Sequence, residues 1–150
     1  MACVKFFTSA NIAGVSLPLD KSADVWLSIF SGPVSIVVEG QCEERCEKAK
    51  VHLIDYDATF LNKDDLLDEQ EVPCKEGKFK ATFSIWAGTG GIFSFTQIKG
   101  PLGSSDEDDP AIYVKNGNQQ IPTGDHYWHF HVANEMVVGS GAKPKVRVRD

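Results

Sequence analysis

No apolar run in this chain approaches the roughly 20 residues that cross a bilayer as a helix, so no transmembrane segment is expected. Basic residues are not in surplus either. Fifteen Lys and Arg stand against 21 Asp and Glu, giving a formal net charge of −6. Such a chain is repelled by phosphate backbones, which argues against nonspecific nucleic-acid binding. A G-x-S-x-G nucleophile elbow is missing. The one glycine cluster, "GTGG" at 88–91, lies between two strand-like runs rather than ahead of a helix, so it reads as a tight turn and not as a phosphate cradle. There is no internal repeat, no domain boundary and no convincing amphipathic helix. The 150 residues suit a single domain, 1–150. The opening "MACVKFFTSANIAGVSLPL" has one Lys, and Ser, Thr and Asn break its apolar stretch. No clean small-residue cleavage site follows, which argues against a signal peptide.

What is present is period-2 patterning. "GKFKATFSIW" sets Phe79, Ala81, Phe83 and Ile85 on one face and Lys78, Lys80, Thr82 and Ser84 on the other. "PVSIVVEG" offers Val34, Ile36 and Val38. "KVHLIDYD" offers either Val51 and Leu53 or His52, Ile54 and Tyr56. "AIYVK", "YWHFHV" and "KVRVRD" continue the pattern, the last with Val146 and Val148 inward and Arg147 and Arg149 outward. "CVKFF", "GVSLPL" and "DVWLSIF" read as earlier strands. Glu76-Gly77, Asn116-Gly117 and Thr123-Gly124 are among the turn signals between them. The only helix-like window is "NKDDLLDEQE", a turn or a loop, and "GPLGSSDEDDP" at 100–110 reads as an acidic loop. Together these predict an all-β, antiparallel β-sandwich.

Four cysteines, Cys3, Cys42, Cys46 and Cys74, are compatible with two disulfides or with buried free thiols. Their spacing lacks the two close pairs of a four-thiolate zinc site. Cys42 and Cys74 flank strand-like segments, where a disulfide is plausible.

The densest chemistry lies in "DYDATFLNKDDLLDE", 55–69. Asp55, Asp57, Asp64 and Asp65 gather around one connection. They are candidates for a calcium site, or else form an acidic turn. Calcium takes six to eight oxygens, so a second acidic loop would have to contribute, with Asp20 and Asp24 as its candidates. "DHYWHFHV" puts His129 and His131 on one strand face with Tyr127, opposite Trp128 and Phe130. Two such imidazoles are candidate transition-metal ligands if a third, for example His52, comes from a neighbouring strand. The plainer reading is a polar face with titratable histidines. Tyr56, Phe60 and Trp86, near strand ends, are expected to close the end of the sandwich core more than to contact a partner.

In order, "VSIVVEGQC", "KVHLIDYD", "NKDDLLDE" and "EGKFKATF", within residues 34–85, resemble the transthyretin-like proteins abundant in nematodes. That family runs from a strand and a Cys into V-x-L-x-D-x-D, an acidic loop ending D-D-L-L, and a strand beginning G-x-F. The resemblance implies a small secreted β-sandwich, mostly without known catalytic activity and in some members active in recognition outside the cell. The family's later Cys is missing after "PAIYV", while Cys46 and Cys74 are additional. Asp55, Asp57 and Asp64 also resemble the D-x-D loop of the calcium-dependent phospholipid-binding modules of synaptotagmin and protein kinase C. "FTSANIAG" is similar in spacing to the opening hairpin of a βγ-crystallin Greek key.

The resulting expectation is a transthyretin-like or Greek-key sandwich acting as a non-enzymatic, extracellular binding or adhesion module. Its partner would be a protein, lipid or carbohydrate. A cytoplasmic location stays open. The alternatives are a calcium-dependent membrane- or ligand-binding sandwich and a small metal-dependent hydrolase using the histidine strand. No cofactor is certain from the sequence; calcium is the candidate at the acidic loop, beside the transition metal that the histidine strand would hold.

Overall fold

A computed structural model describes residues 2–29, 31–56, 64–96, 110–133 and 143–150. Phe60 and nearly all of the acidic loop at 100–110 lie outside them. The fold is all-β: about two thirds of the described residues are strand, arranged as two sheets packed face to face. The smaller sheet has the order β2-β1-β4-β7-β8, with β1 Val4–Ile12, β2 Val15–Ser16, β4 Val34–Cys42, β7 Lys78–Gly88 and β8 Gly91–Ser94. The larger has the order β12-β3-β11-β9-β5-β6, with β10 paired to β9 off this path. Its strands are β3 Ala23–Ser28, β5 Lys48–Asp55, β6 Asp65–Pro73, β9 Ala111–Asn116, β10 Gln119–Ile121, β11 Trp128–Ala133 and β12 Lys145–Val148.

Alternation puts the expected residues in the core. Phe79, Ala81, Phe83 and Ile85 of β7 are all buried, as are Ile36 and Val38 of β4, which runs antiparallel to it. On β5 the buried set is Val51 and Leu53, so His52, Ile54 and Tyr56 face outward. Trp128 and Phe130 of β11 complete the interior, and the Trp128 indole N–H donates to the Pro18 carbonyl at 2.9 Å. Gly40 sits where a side chain would strike the Phe79 ring and the Phe6 carbonyl, so the lack of a Cβ lets the ring lie on the β4 backbone. The Glu76-Gly77 turn has both residues at positive φ, 54° and 76°, the geometry of a two-residue hairpin with the right twist.

The interior is sewn together by polar groups as well. Asn116 is buried; its Nδ2 donates to the Lys50 carbonyl of β5 at 2.5 Å, and its Oδ1 accepts the Val4 N–H of β1 at 3.2 Å, joining the two sheets. Two disulfides close the same end. Cys42–Cys74 ties the end of β4 to the residue after β6, and Cys3–Cys46 ties the residue before β1 to the approach to β5. Both therefore link the smaller sheet to the larger.

Three expectations change. The sandwich is not wholly antiparallel: β3 and β11 pair in parallel over six positions, from Trp128↔Ala23 to Ala133↔Ser28. About a hundred residues separate them in the chain, ample for the return crossing that a parallel pair needs. The helix-like window at 62–71 contains most of β6, an edge strand. Its acids are poor strand formers alone, but β5 faces them with bases: Lys48 meets Glu71 at 3.8 Å, and Lys50 and His52 meet Glu69 at 3.8 and 2.8 Å. Finally, Val148 is 44% exposed rather than buried: it shares a side of β12 with Val146, which packs against the core, but β12 is the outermost strand of the wider sheet.

Candidate functional site

The outer face of the larger sheet carries the most unusual chemistry. β3 contributes Asp24 and Trp26, flanked by β11 on one side and β12 on the other. In register, Trp26 lies beside His131 and Lys145, and Asp24 beside His129 and Arg147. The Asp24 side chain is 6% exposed and has three basic partners. Arg149 grips it as a fork, with Nε to Oδ2 at 3.0 Å and Nη2 to Oδ1 at 2.7 Å. His131 Nε2 lies 2.8 Å from Oδ1, and since a carboxylate only accepts, the imidazole N–H is the donor. Arg147 Nη2 stands further off, at 3.7 Å. The Arg149 hydrogen bonds hold the Asp24 carboxyl well below the usual carboxylate range; burial opposes this and the His131 contacts assist it. Asp24 in turn raises the pKa of Arg149.

Trp26 is packed from both neighbouring strands. The His131 ring stacks on it at 5.3 Å with 28° between planes. From β12, the Arg147 guanidinium carbon lies 5.3 Å and the Lys145 nitrogen 5.9 Å from the ring centre, a cation–π arrangement. Further along the same face, Tyr127 stacks on Tyr56 at 4.4 Å and 16°, approaches Tyr113 at 5.7 Å, and meets His129 edge-on at 6.4 Å. The Tyr113 hydroxyl donates to Asp64 at 2.6 Å. Burial, then the Asp64 contact, pushes the Tyr113 phenol well above its ordinary value, and burial does the same more mildly to Tyr127. Chemically, this face offers fixed guanidinium and ammonium groups beside ordered rings.

The acids expected around a calcium ion are dispersed. Asp55 is buried on the core side of β5, whereas Asp64 meets Tyr113 on the outer side. Asp65 is exposed and stands across from Asp55 in the β5–β6 ladder. Asp57 lies outside the described residues. Asp24 is three strand steps from β5, roughly 14 Å, with its charge satisfied by Arg149. Asp20 lines a different feature, a cleft of about 460 Å³ with Lys21, Ser22, His126, Arg149 and Asp150. His129 and His131 do share a face, but His52 cannot join them: β9 intervenes, and His52 Nε2 contacts Glu69 at 2.8 Å. Among the described residues no group of three His, Cys, Asp or Glu is placed to hold a metal ion. Nor do Tyr56 and Trp86 close the core. Tyr56 is 38% exposed on the outer face of the larger sheet, and Trp86 stacks on Phe93 at 4.8 Å on the outer side of the smaller one.

Sequence reasoning passed over Trp26, Arg147 and Arg149 as functional residues and considered Asp24 only as a calcium ligand. One signal was available: an acid inside the apolar run "ADVWLSIF" needs a cation, and "VRVR" is a strand that presents cations in a row. No family model, characterised relative or solved structure matches the chain, so its likeness to transthyretin-like proteins rests on the sequence pieces at 34–85 alone.

Proposed function

We propose that the protein is an extracellular binding module and that the outer face of the larger sheet is its ligand surface. The observation that carries this reading is the row of partly exposed side chains Lys145, Arg147, Trp26, His131, Tyr127 and Tyr56, presented on one side of a rigid sheet. Aromatic and Arg side chains concentrate binding energy at interfaces, and ordering before contact lowers the entropy cost of binding. The two disulfides support an oxidising compartment. Among the described residues no helix is long and apolar enough to cross a membrane. A transthyretin-like relationship is supported by the order of the pieces at 34–85. Calcium has no part in this reading, since Asp24 is engaged by Arg149 and Asp55 and Asp64 lie on opposite sides of β5.

The test is binding of the secreted protein to immobilised glycans, lipids and matrix proteins, with Trp26→Ala and Tyr127→Ala alongside the native chain. Loss of about tenfold or more in affinity for a bound ligand, with the fold intact by circular dichroism, is expected. Undiminished binding in both variants would move the site elsewhere.

A further inference from the structure

Resting on that reading, we infer that the ligand of the β12–β3–β11 face is a sulfated polysaccharide. The first ground is charge. The chain carries a formal −6, yet here Lys145, Arg147 and Arg149 project from one side of β12, with Asp20 and Asp150 beside Arg149 in the adjoining cleft and Asp24 as the carboxylate beneath the arginines. That carboxylate is buried and cannot meet a ligand, whereas the Arg147 side chain is 70% exposed and that of Arg149 47%. Successive cations on one side of a strand stand about 7 Å apart, a regular row suited to a linear polymer with repeating anionic groups.

The second ground is order. Asp24 holds the Arg149 fork and draws in Arg147, while Trp26 supports Arg147 and Lys145 from the side. Long cationic side chains that are already oriented lose less entropy on binding. Guanidinium forks match tetrahedral oxyanions in two-point contacts.

The third ground separates ligand classes. Single-stranded nucleic acid binds through bases laid on open ring faces. Trp26 has His131 packed from one strand and Arg147 with Lys145 from the other, so its ring supports cations and leaves no open platform. Neutral sugars, which also stack on open rings, are disfavoured for the same reason. Anions held by charge need no ring face. Sulfate esters stay ionised at every physiological pH, and the disulfides fit the compartment where sulfated polymers occur.

The experiment uses heparin as probe, with hyaluronan, neutral dextran, single-stranded DNA and anionic phospholipid vesicles as comparisons. The native protein should bind heparin at low salt, with affinity falling steeply as salt screens the contact. Lys145→Gln with Arg147→Gln should weaken binding by about tenfold or more. Lys78→Gln with Lys80→Gln, which removes equal charge from the outer face of the smaller sheet, should leave it within about twofold. Thermal melts of both double variants establish that each is folded. The inference is overturned by no heparin binding at low salt, by equal loss in the two double variants, or by DNA or vesicles binding as tightly as heparin. If heparin fails while Trp26→Ala and Tyr127→Ala abolish binding of another ligand, the face is the site and only the ligand class is wrong. If no ligand responds to any variant of this face, the binding reading itself fails.

Discussion

On the smaller sheet, β7 turns Lys78, Lys80, Thr82 and Ser84 outward, a sparse polar surface open to water. On the larger sheet, the corresponding surface holds a buried carboxylate, a forked arginine, two histidines and a stack of rings. Both surfaces come from the same backbone alternation. They differ in what the neighbouring strands bring. β7 lies between β4, from earlier in the chain, and β8, its immediate successor, and apart from the Trp86–Phe93 stack its outward residues are lysines and hydroxyls. β3 lies between β11 and β12, which come from more than a hundred residues away and bring imidazoles and guanidiniums to one acid. A surface built from distant segments can hold a charge arrangement that no local stretch would retain.

The comparison can be broken first at the core that both faces share. Phe83→Ala empties a fully buried site on β7 and should cost about 3–5 kcal/mol in urea unfolding. A loss under about 1 kcal/mol would mean that the interior is assigned to the wrong face. The next effect belongs to the larger sheet alone. Asp24→Asn leaves Arg149 and His131 without an ionised partner and should cost about 2 kcal/mol. The same contribution should disappear in acid. The folded-state pKa of Asp24 lies below its unfolded value, so its stabilisation is complete above about pH 4 and fades as pH falls toward the folded value. Native protein should therefore lose more stability than Asp24→Asn between neutral pH and pH about 2. Parallel pH curves for the two would show that the carboxylate is not held as described. The smallest effect is the control on the smaller sheet. Lys80→Thr should stay within about 0.5 kcal/mol of native stability, since this side chain faces water on a central strand. A cost matching that of Asp24→Asn would erase the distinction between the two faces.

Most of the strand set, the β7 core residues and the glycine turns were legible in the sequence, because alternation and turn chemistry act over a few residues. "GKFKATFSIW" states its own inside and outside. The shared face of Tyr127, His129 and His131 was legible for the same reason. β6 was not, since its adjacent Leu66 and Leu67, one exposed and one buried, hide the alternation and its acids need the bases of β5. Which cysteines bond, and that both bonds join the two sheets, also waited on the fold. So did the site. Asp24 is of the residue type a calcium ligand needs, but it lies within β3, and only the parallel docking of β11 on one side of β3 and β12 on the other turned it into the anchor of Arg149 and His131. The physical reason is range. Side-chain direction repeats every two residues along a strand and can be read locally, whereas the neighbour across the sheet is chosen by pairings between segments a hundred residues apart, which burial of the whole core decides at once.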